Sequence, residues 1–202
     1  MTFNSKEYWE NRYKMNGTSG AGSYGVLCDF KAKIINDFIS KNDIKRVVEF
    51  GCGDGNQLKT FNCNTYTGYD VSQSVINKNI ETYKSDSTKS FFLYDNYNGE
   101  KFDLSLSLDV IFHLVEDEVF STYMKILFAS SYKYVIIYSS NGQITTKLSE
   151  HLKDREFTKW VYDNIPNFEL IEKINNEYPY DINDSFNTSM SDFYIYRSVL
   201  QT

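Results

Sequence analysis

Four acidic residues recur at comparable places in this chain. Glu49 is the penultimate residue of the run KRVVEF, and Asp70, Asp95 and Asp109 close the runs TYTGYD, SFFLYD and FDLSLSLD. Glycines follow the first acid at every second position, as Gly51, Gly53 and Gly55. Glycines in a strand-to-helix turn let backbone approach a ligand closely. A dinucleotide site would space them G-x-G-x-x-G, with a glycine five residues after the first. Here that position is Asn56, and no basic residue stands between Glu49 and Leu58. The turn therefore offers no charge to a pyrophosphate. An acid at the strand end suits a ligand that carries positive charge, and S-adenosyl-L-methionine carries both a sulfonium and an ammonium. Asp70 lies nineteen residues after Gly51, placed to accept both ribose hydroxyls. Asp95 is placed to face the adenine. Cys52, inside the glycine turn, is either a nucleophile or a small packed loop residue. With only two histidines in the chain to activate it, the packed residue is the stronger expectation.

A second group of residues suits an acceptor. His113 follows Asp109 by four residues. It is either a general base that titrates near neutral pH or a polar cap on the adenine pocket. The loop NGTSGAGSYG, Asn16 to Gly25, reads as a mobile lid or as a plain connector. As a lid, its amides and Ser23 would bind an anion and Tyr24 would reach the substrate. His151 and Arg155 are four apart, so a helix there would put them on one face toward an anionic acceptor. The alternative is a solvated helix with ordinary surface charge.

Alternating elements must position these residues. Residues 5–15 read as a helix with aromatic positions Tyr8, Trp9 and Tyr13. Leu27, Phe30, Ile34, Phe38 and Ile39 mark an amphipathic helix. KRVVEF and TYTGYD are strands, with a helix expected over 56–62 between them. SVINKNIETY is a helix, SFFLYD a strand, and FDLSLSL a strand with Phe102, Leu104, Leu106 and Leu108 on one face. A helix over 116–129 and the strand YKYVIIYSS follow. The alternation predicts a doubly wound, mostly parallel α/β sheet. The tail predicts a helix near 150–163 and then two strands, NFELIEKI and DFYIYRSVL, as an antiparallel hairpin at the sheet edge.

With these motifs in order, the chain resembles the class I S-adenosylmethionine-dependent methyltransferases. VVEFGCGDGNQL, YTGYDVS, FDLSLSLDVIFHL and YVIIYSSN carry the resemblance over roughly residues 45–141. It implies a Rossmann-like seven-stranded sheet with an antiparallel C-terminal strand and helices on both faces. Residues 1–42 would form N-terminal helices and a lid loop over the site, and 43–202 the catalytic domain, in one compact unit. The cofactor would meet Glu49, Gly51, Cys52, Gly53, Asn56 and Gln57, then Asp70, Val71 and Ser72. Asp95 and Asn96 would follow, then Leu108, Asp109 and Val110. YWENRY resembles the N-terminal helix of many members, so Trp9, Arg12 and Tyr13 would cover the cofactor, Arg12 meeting its carboxylate. Ser23, Tyr24, His113, Asn141, His151 and Arg155 would face the acceptor, with His113 and Tyr24 as the catalytic candidates. The layout further resembles small methyltransferases of bacterial surface-polysaccharide clusters, some tied to O-methyl phosphoramidate decoration of capsules. That implies a nucleotide- or sugar-linked acceptor oxygen, with a phosphoryl oxygen as one candidate, and S-adenosyl-L-homocysteine as the product.

Composition sets limits. The chain has 202 residues, 41% hydrophobic, with 17 Tyr and 15 Phe, which suits one globular core rather than disorder. A net charge of −6 disfavours a nucleic-acid partner, and SLDVIFH lacks the proline turn that holds a flipped base. No apolar run suggests a membrane span or a signal peptide, and the three cysteines read as reduced thiols without metal-ligand spacing, so a cytoplasmic protein is expected. The competing functions are a nicotinamide oxidoreductase, disfavoured by the glycine spacing, and a non-catalytic adenosylmethionine-binding subunit.

Overall fold

The computed structural model describes residues 3–144 and 149–200. Its centre is a seven-stranded sheet in the order β3-β2-β1-β4-β5-β7-β6. Strands β1 (Arg46–Phe50), β2 (Thr65–Asp70), β3 (Lys89–Leu93), β4 (Phe102–Leu108) and β5 (Ser131–Ser139) run parallel. The tail forms the expected hairpin: β7 (Asp192–Ser198) inserts antiparallel between β5 and β6 (Phe168–Ile174). The strand order reverses at β1, whose neighbours are β2 and β4. The carboxyl ends of β1 to β4 therefore meet along one edge, where a crevice opens.

Strand periodicity divides the core into two layers. Val48, Phe50, Val135 and Ile137 pack on one face against α4 (Asp117–Ala129) and α5 (Phe157–Asn164). Val47, Leu104, Leu106, Leu108 and Ile136 pack on the other against α2 (Gly25–Lys41) and α3 (Gln73–Thr82). Each such side chain removed from water contributes about 1.5–3 kcal/mol. Phe102 does not share the leucines' face as expected. A register irregularity between Phe102 and Leu104 turns it into the opposite layer.

Two expected helices differ. Over 56–62 only a 3-10 turn forms, Gln57–Thr60. The Asn36 side chain on α2 donates to Thr60 O at 2.8 Å and accepts from Asn62 N at 2.8 Å, which fixes an extended exit. Near 150–163 only α5 is helical, and 149–156 is a loop tied back to β5. Asp154 accepts from Ser140 Oγ at 2.7 Å and from the amides of Gly142 and Ile144 at 3.1 and 2.7 Å. The amide of Lys153 donates to Phe112 O at 2.8 Å. Consequently His151 and Arg155 share no helical face.

Helix α1 (Ser5–Lys14) is polar, and Ser5 is its one buried residue. Hydrogen bonds rather than an apolar stripe dock it. Glu10 accepts from Ser72 Oγ at 2.6 Å and Ser74 Oγ at 2.8 Å, at the N-terminus of α3. Despite the opposing effect of desolvation, these bonds hold its carboxyl down at about 2. At the other end Glu116 accepts from the amide of Ser5 at 2.9 Å and from its hydroxyl. The helix thus spans the crevice from β2 to the exit of β4. Among the described residues, no helix is long and apolar enough to cross a membrane.

Candidate active site

Below α1 lies a cavity of about 510 Å³ at the carboxyl ends of β1 to β4. That volume is in the range of small-ligand sites. Of the residues singled out in the sequence, Trp9, Tyr13, Ser23, Glu49, Gly51, Cys52, Gly53, Gln57, Asp70, Val71, Asp95, Leu108, Asp109, Val110 and His113 line it.

The strand-end acids have distinct surroundings. Glu49 is buried and accepts a hydrogen bond from Tyr66 Oη at 2.6 Å. Burial pushes its carboxyl up to about 7, against the effects of Tyr66 and Lys31. Asp70 is buried, and its two oxygens accept one backbone N–H each, from Gly53 and Ser72, both at 3.0 Å. Each oxygen keeps acceptor capacity for a ligand. Burial pushes this carboxyl up to about 6. Asp95 is exposed at the rim and pairs with Lys6 at 2.6 Å. Asp109 has a left-handed backbone (φ 57°) and pairs with Lys31 Nζ at 2.7 Å while accepting from Ser191 Oγ at 2.9 Å.

The glycine turn supports the 16–25 loop as well as the cavity. At Gly53 (φ 54°) a Cβ would collide with Ser19 Oγ and meet Tyr13 Oη at 3.1 Å. Asp54 next to it accepts from Ser19 N at 3.0 Å, Tyr24 Oη at 2.7 Å and Asn56 N at 3.1 Å. Although burial opposes it, these bonds hold the Asp54 carboxyl below the usual carboxylate range. Cys52 is buried, and burial pushes its thiol well up, so it is a packed loop residue, not a nucleophile.

Several expected ligand contacts are engaged within the protein. Arg12 Nε donates to Thr18 O at 2.7 Å and its guanidinium lies 5.3 Å from the Trp9 ring, so it braces the 16–25 loop outside the cavity lining. The Tyr24 hydroxyl donates to Asp54 at 2.7 Å, burial with that carboxylate pushes its pKa up, and the residue is not among those lining the cavity. Asn56 donates to Ser23 O at 2.8 Å. Ser72 caps α3 and bonds to Glu10. Asn96 is exposed on the turn after β3. Asn141 exchanges bonds with Thr158 at the start of α5. Arg155 donates to Leu114 O at 2.9 Å and Val115 O at 3.0 Å, pairs with Asp117 at 2.9 Å, and lies 4.6 Å from the Phe120 ring. Its guanidinium braces the β4–α4 connection, and Arg155 is not among the residues that line the cavity. His151 lies between the rings of Tyr8 and His113 rather than on the cavity lining.

Lys31 was absent from the residues read out of the sequence. It is 1% exposed, lines the cavity, and sits 5.2 Å from the Tyr138 ring. A signal existed: Leu27, Lys31, Ile35 and Ile39 follow one another at four-residue spacing along α2. A lysine inside an apolar stripe must find a buried anion. The cavity otherwise carries seven carboxylates (Glu49, Asp54, Asp70, Asp95, Asp109, Glu116, Glu118) against Lys31 and Lys6. Such a donor set suits a ligand with net positive charge.

Solved methyltransferase structures share this architecture. The N-methyltransferase NodS from Bradyrhizobium japonicum WM9, in complex with S-adenosyl-L-homocysteine, superposes with a TM-score of 0.72 at 14% identity, over 98% of this chain and 100% of that one. Magnesium protoporphyrin IX methyltransferase (ChlM) from Synechocystis PCC 6803, also with S-adenosyl-L-homocysteine, gives 0.67 at 13% identity, over 96% and 97%. The methyltransferase domain of bacterial CtHen1 gives 0.61 at 20% identity, over 83% and 97%. The chain shares its fold with these methyltransferases. No protein family's sequence profile matches the chain, and no curated protein sequence matches it.

Proposed function

We propose that this chain is an S-adenosyl-L-methionine-dependent methyltransferase acting on an oxygen of a small acceptor. The observation that carries the reading is the pair of buried carboxylates, Glu49 and Asp70, beside a glycine turn without a basic residue. Asp70 holds the ribose with the acceptor capacity left on each oxygen, and Glu49 faces the ligand's positive charge. Lys31 has three N–H donors, of which Asp109 takes one, so it holds the ligand's carboxylate in place of Arg12. Asp95, Val110 and Leu108 border the adenine.

The bound donor supplies a methyl group already activated on sulfur, ready for in-line displacement. The protein's task is to orient and to exclude water, worth roughly 7–11 kcal/mol of barrier. α1 and the lid loop do so by roofing the cavity. His113 lines it, and burial pushes its imidazole down to about 4. It is therefore neutral at pH 7 and accepts a hydrogen bond from an acceptor hydroxyl.

The resemblance to methyltransferases of surface-polysaccharide clusters supports a sugar- or nucleotide-linked acceptor in capsule biosynthesis. His151 and Arg155, expected to meet a phosphoryl group, are engaged elsewhere, and carboxylates outnumber lysines in the cavity. The entering end of the acceptor is accordingly an uncharged hydroxyl. Titration calorimetry with S-adenosyl-L-homocysteine and with NAD tests the reading: saturable binding of the first alone is expected. Binding of NAD in preference would overturn it. Methyl transfer from labelled donor to nucleotide-linked sugars then tests turnover, and its absence with every hydroxyl acceptor would favour a non-catalytic subunit.

A further inference from the structure

His113 stands at the exit of β4 with its ring edge toward Trp9, centroids 4.8 Å apart. Its Nδ1 lies 3.3 Å from the main-chain carbonyl oxygen of His151. A carbonyl oxygen only accepts, so Nδ1 carries the proton and Nε2 keeps its lone pair. The His151 ring is nearly parallel to that of His113, at 5.7 Å and 13°, and to that of Tyr8 on α1, at 4.9 Å and 11°. A single residue of the loop after β5 thus meets His113 twice, through its backbone and through its ring. The loop itself is held by Asp154 and by the Lys153 amide on Phe112 O.

We propose that His151 is a positioning residue for methyl transfer, holding His113 as the Nδ1–H tautomer so that Nε2 accepts the hydrogen bond of the acceptor hydroxyl. The role in transfer rests on the methyltransferase reading; the tautomer does not. The charged and titratable groups that act on His113 are His151 and Arg12, which oppose its protonation, and Asp109, which favours it. Burial, the largest effect, acts in the same direction as His151 and Arg12, outweighs Asp109 and the hydrogen bond to the His151 carbonyl, and keeps the ring neutral. A neutral ring with a fixed tautomer offers an acceptor in one direction only, which selects a hydroxyl over an oxyanion.

The chain has two histidines, so long-range proton–nitrogen correlation of the imidazole rings gives two patterns, assigned with His113→Asn. The expected wild-type result is a His113 ring protonated at Nδ1 and bare at Nε2, unchanged from pH 8 to pH 5. In His151→Phe, which keeps an aromatic ring and the carbonyl, the pattern should persist. In His151→Ala it should become a tautomer mixture with a midpoint moved up from about 4 toward 6.5. An Nε2–H ring in the wild type, or identical His113 spectra in wild type and His151→Ala, would overturn the proposal. The same samples are titrated with S-adenosyl-L-homocysteine. Loss of that binding in the wild type sinks the methyltransferase reading alone, and intact binding with an Nε2–H ring sinks the tautomer lock alone.

Discussion

Replacing Lys31 separates the two residues that could hold a cofactor carboxylate. Lys31→Met keeps length and removes the charge from a side chain that is 1% exposed. Breaking a buried ion pair by removing one partner costs about 3–5 kcal/mol. Asp109 retains its bond from Ser191 and a side chain 19% exposed, so the lower end applies, about 3 kcal/mol. At roughly 2–4 °C per kcal/mol for a domain of this size, melting should fall by about 6–12 °C. A hydrogen bond to a charged group is worth about 1.5–3 kcal/mol, so affinity for S-adenosyl-L-homocysteine should fall by about 10- to 150-fold. The control ligand is 5′-methylthioadenosine, which has the nucleoside but no carboxylate, and its affinity should hardly change. Lys31→Met/Asp109→Asn should recover part of the stability and none of the discrimination. Arg12→Ala, by contrast, loosens the 16–25 loop at Thr18 and should weaken both ligands alike. Calorimetry of the four proteins with both ligands decides the matter. An equal loss for both ligands in Lys31→Met, or a selective loss in Arg12→Ala, would refute the assignment.

Further outcomes are expected. Glu49 and Asp70 have carboxyls raised to about 7 and about 6, so the unliganded fold binds extra protons. The contribution of these two groups to stability is therefore greatest below the ordinary carboxylate range and falls as pH rises toward 7, by roughly 3 kcal/mol for Glu49 at about 1.4 kcal/mol per unit. A cationic ligand favours the ionised forms, so binding S-adenosyl-L-methionine should release protons and tighten from pH 5.5 to 7.5; calorimetry in buffers of different ionisation heat should show it, and a flat profile would contradict the charge assignment. Asp70→Ala should reduce adenosylhomocysteine affinity at least tenfold, while equal affinity would move the ribose elsewhere. Asp54→Ala frees Ser19, Tyr24 and Asn56, so amide exchange over residues 18–24 should accelerate while that of β1 stays slow. Gly53→Ala should displace Ser19, and Gly53→Ala/Ser19→Gly should regain part of the lost melting temperature.

What could be read from the sequence was the part that backbone periodicity decides. β2 spans Thr65–Asp70, the TYTGYD run, because β-branched and aromatic residues there are bounded by Asn64 and the polar turn after Asp70. The acids at strand ends were legible for the same reason: a position along a strand fixes a position along the sheet edge. The misplaced helices were decided at long range. The 56–62 segment obeys Asn36 on another helix, and the 149–156 segment obeys Phe112 O, which takes the Lys153 amide. Neither partner is visible in a local window.

The same distinction governs the site. Arg12, Tyr24 and Arg155 have the chemistry to meet a ligand, and each meets a carbonyl or carboxylate of its own chain instead. Residue type gives a side chain's capacity to bond; which partner takes that capacity is a property of the fold. The converse holds for Lys31 and Glu10. Lys31 interrupts an apolar stripe, and Glu10 sits on a helix with too little apolar surface to dock by itself. Each violates its local pattern, and each has its explanation in a partner from another element, Asp109 for the first and Ser72 with Ser74 for the second. The violations, more than the motif, mark where the roof and the floor of this cavity are joined.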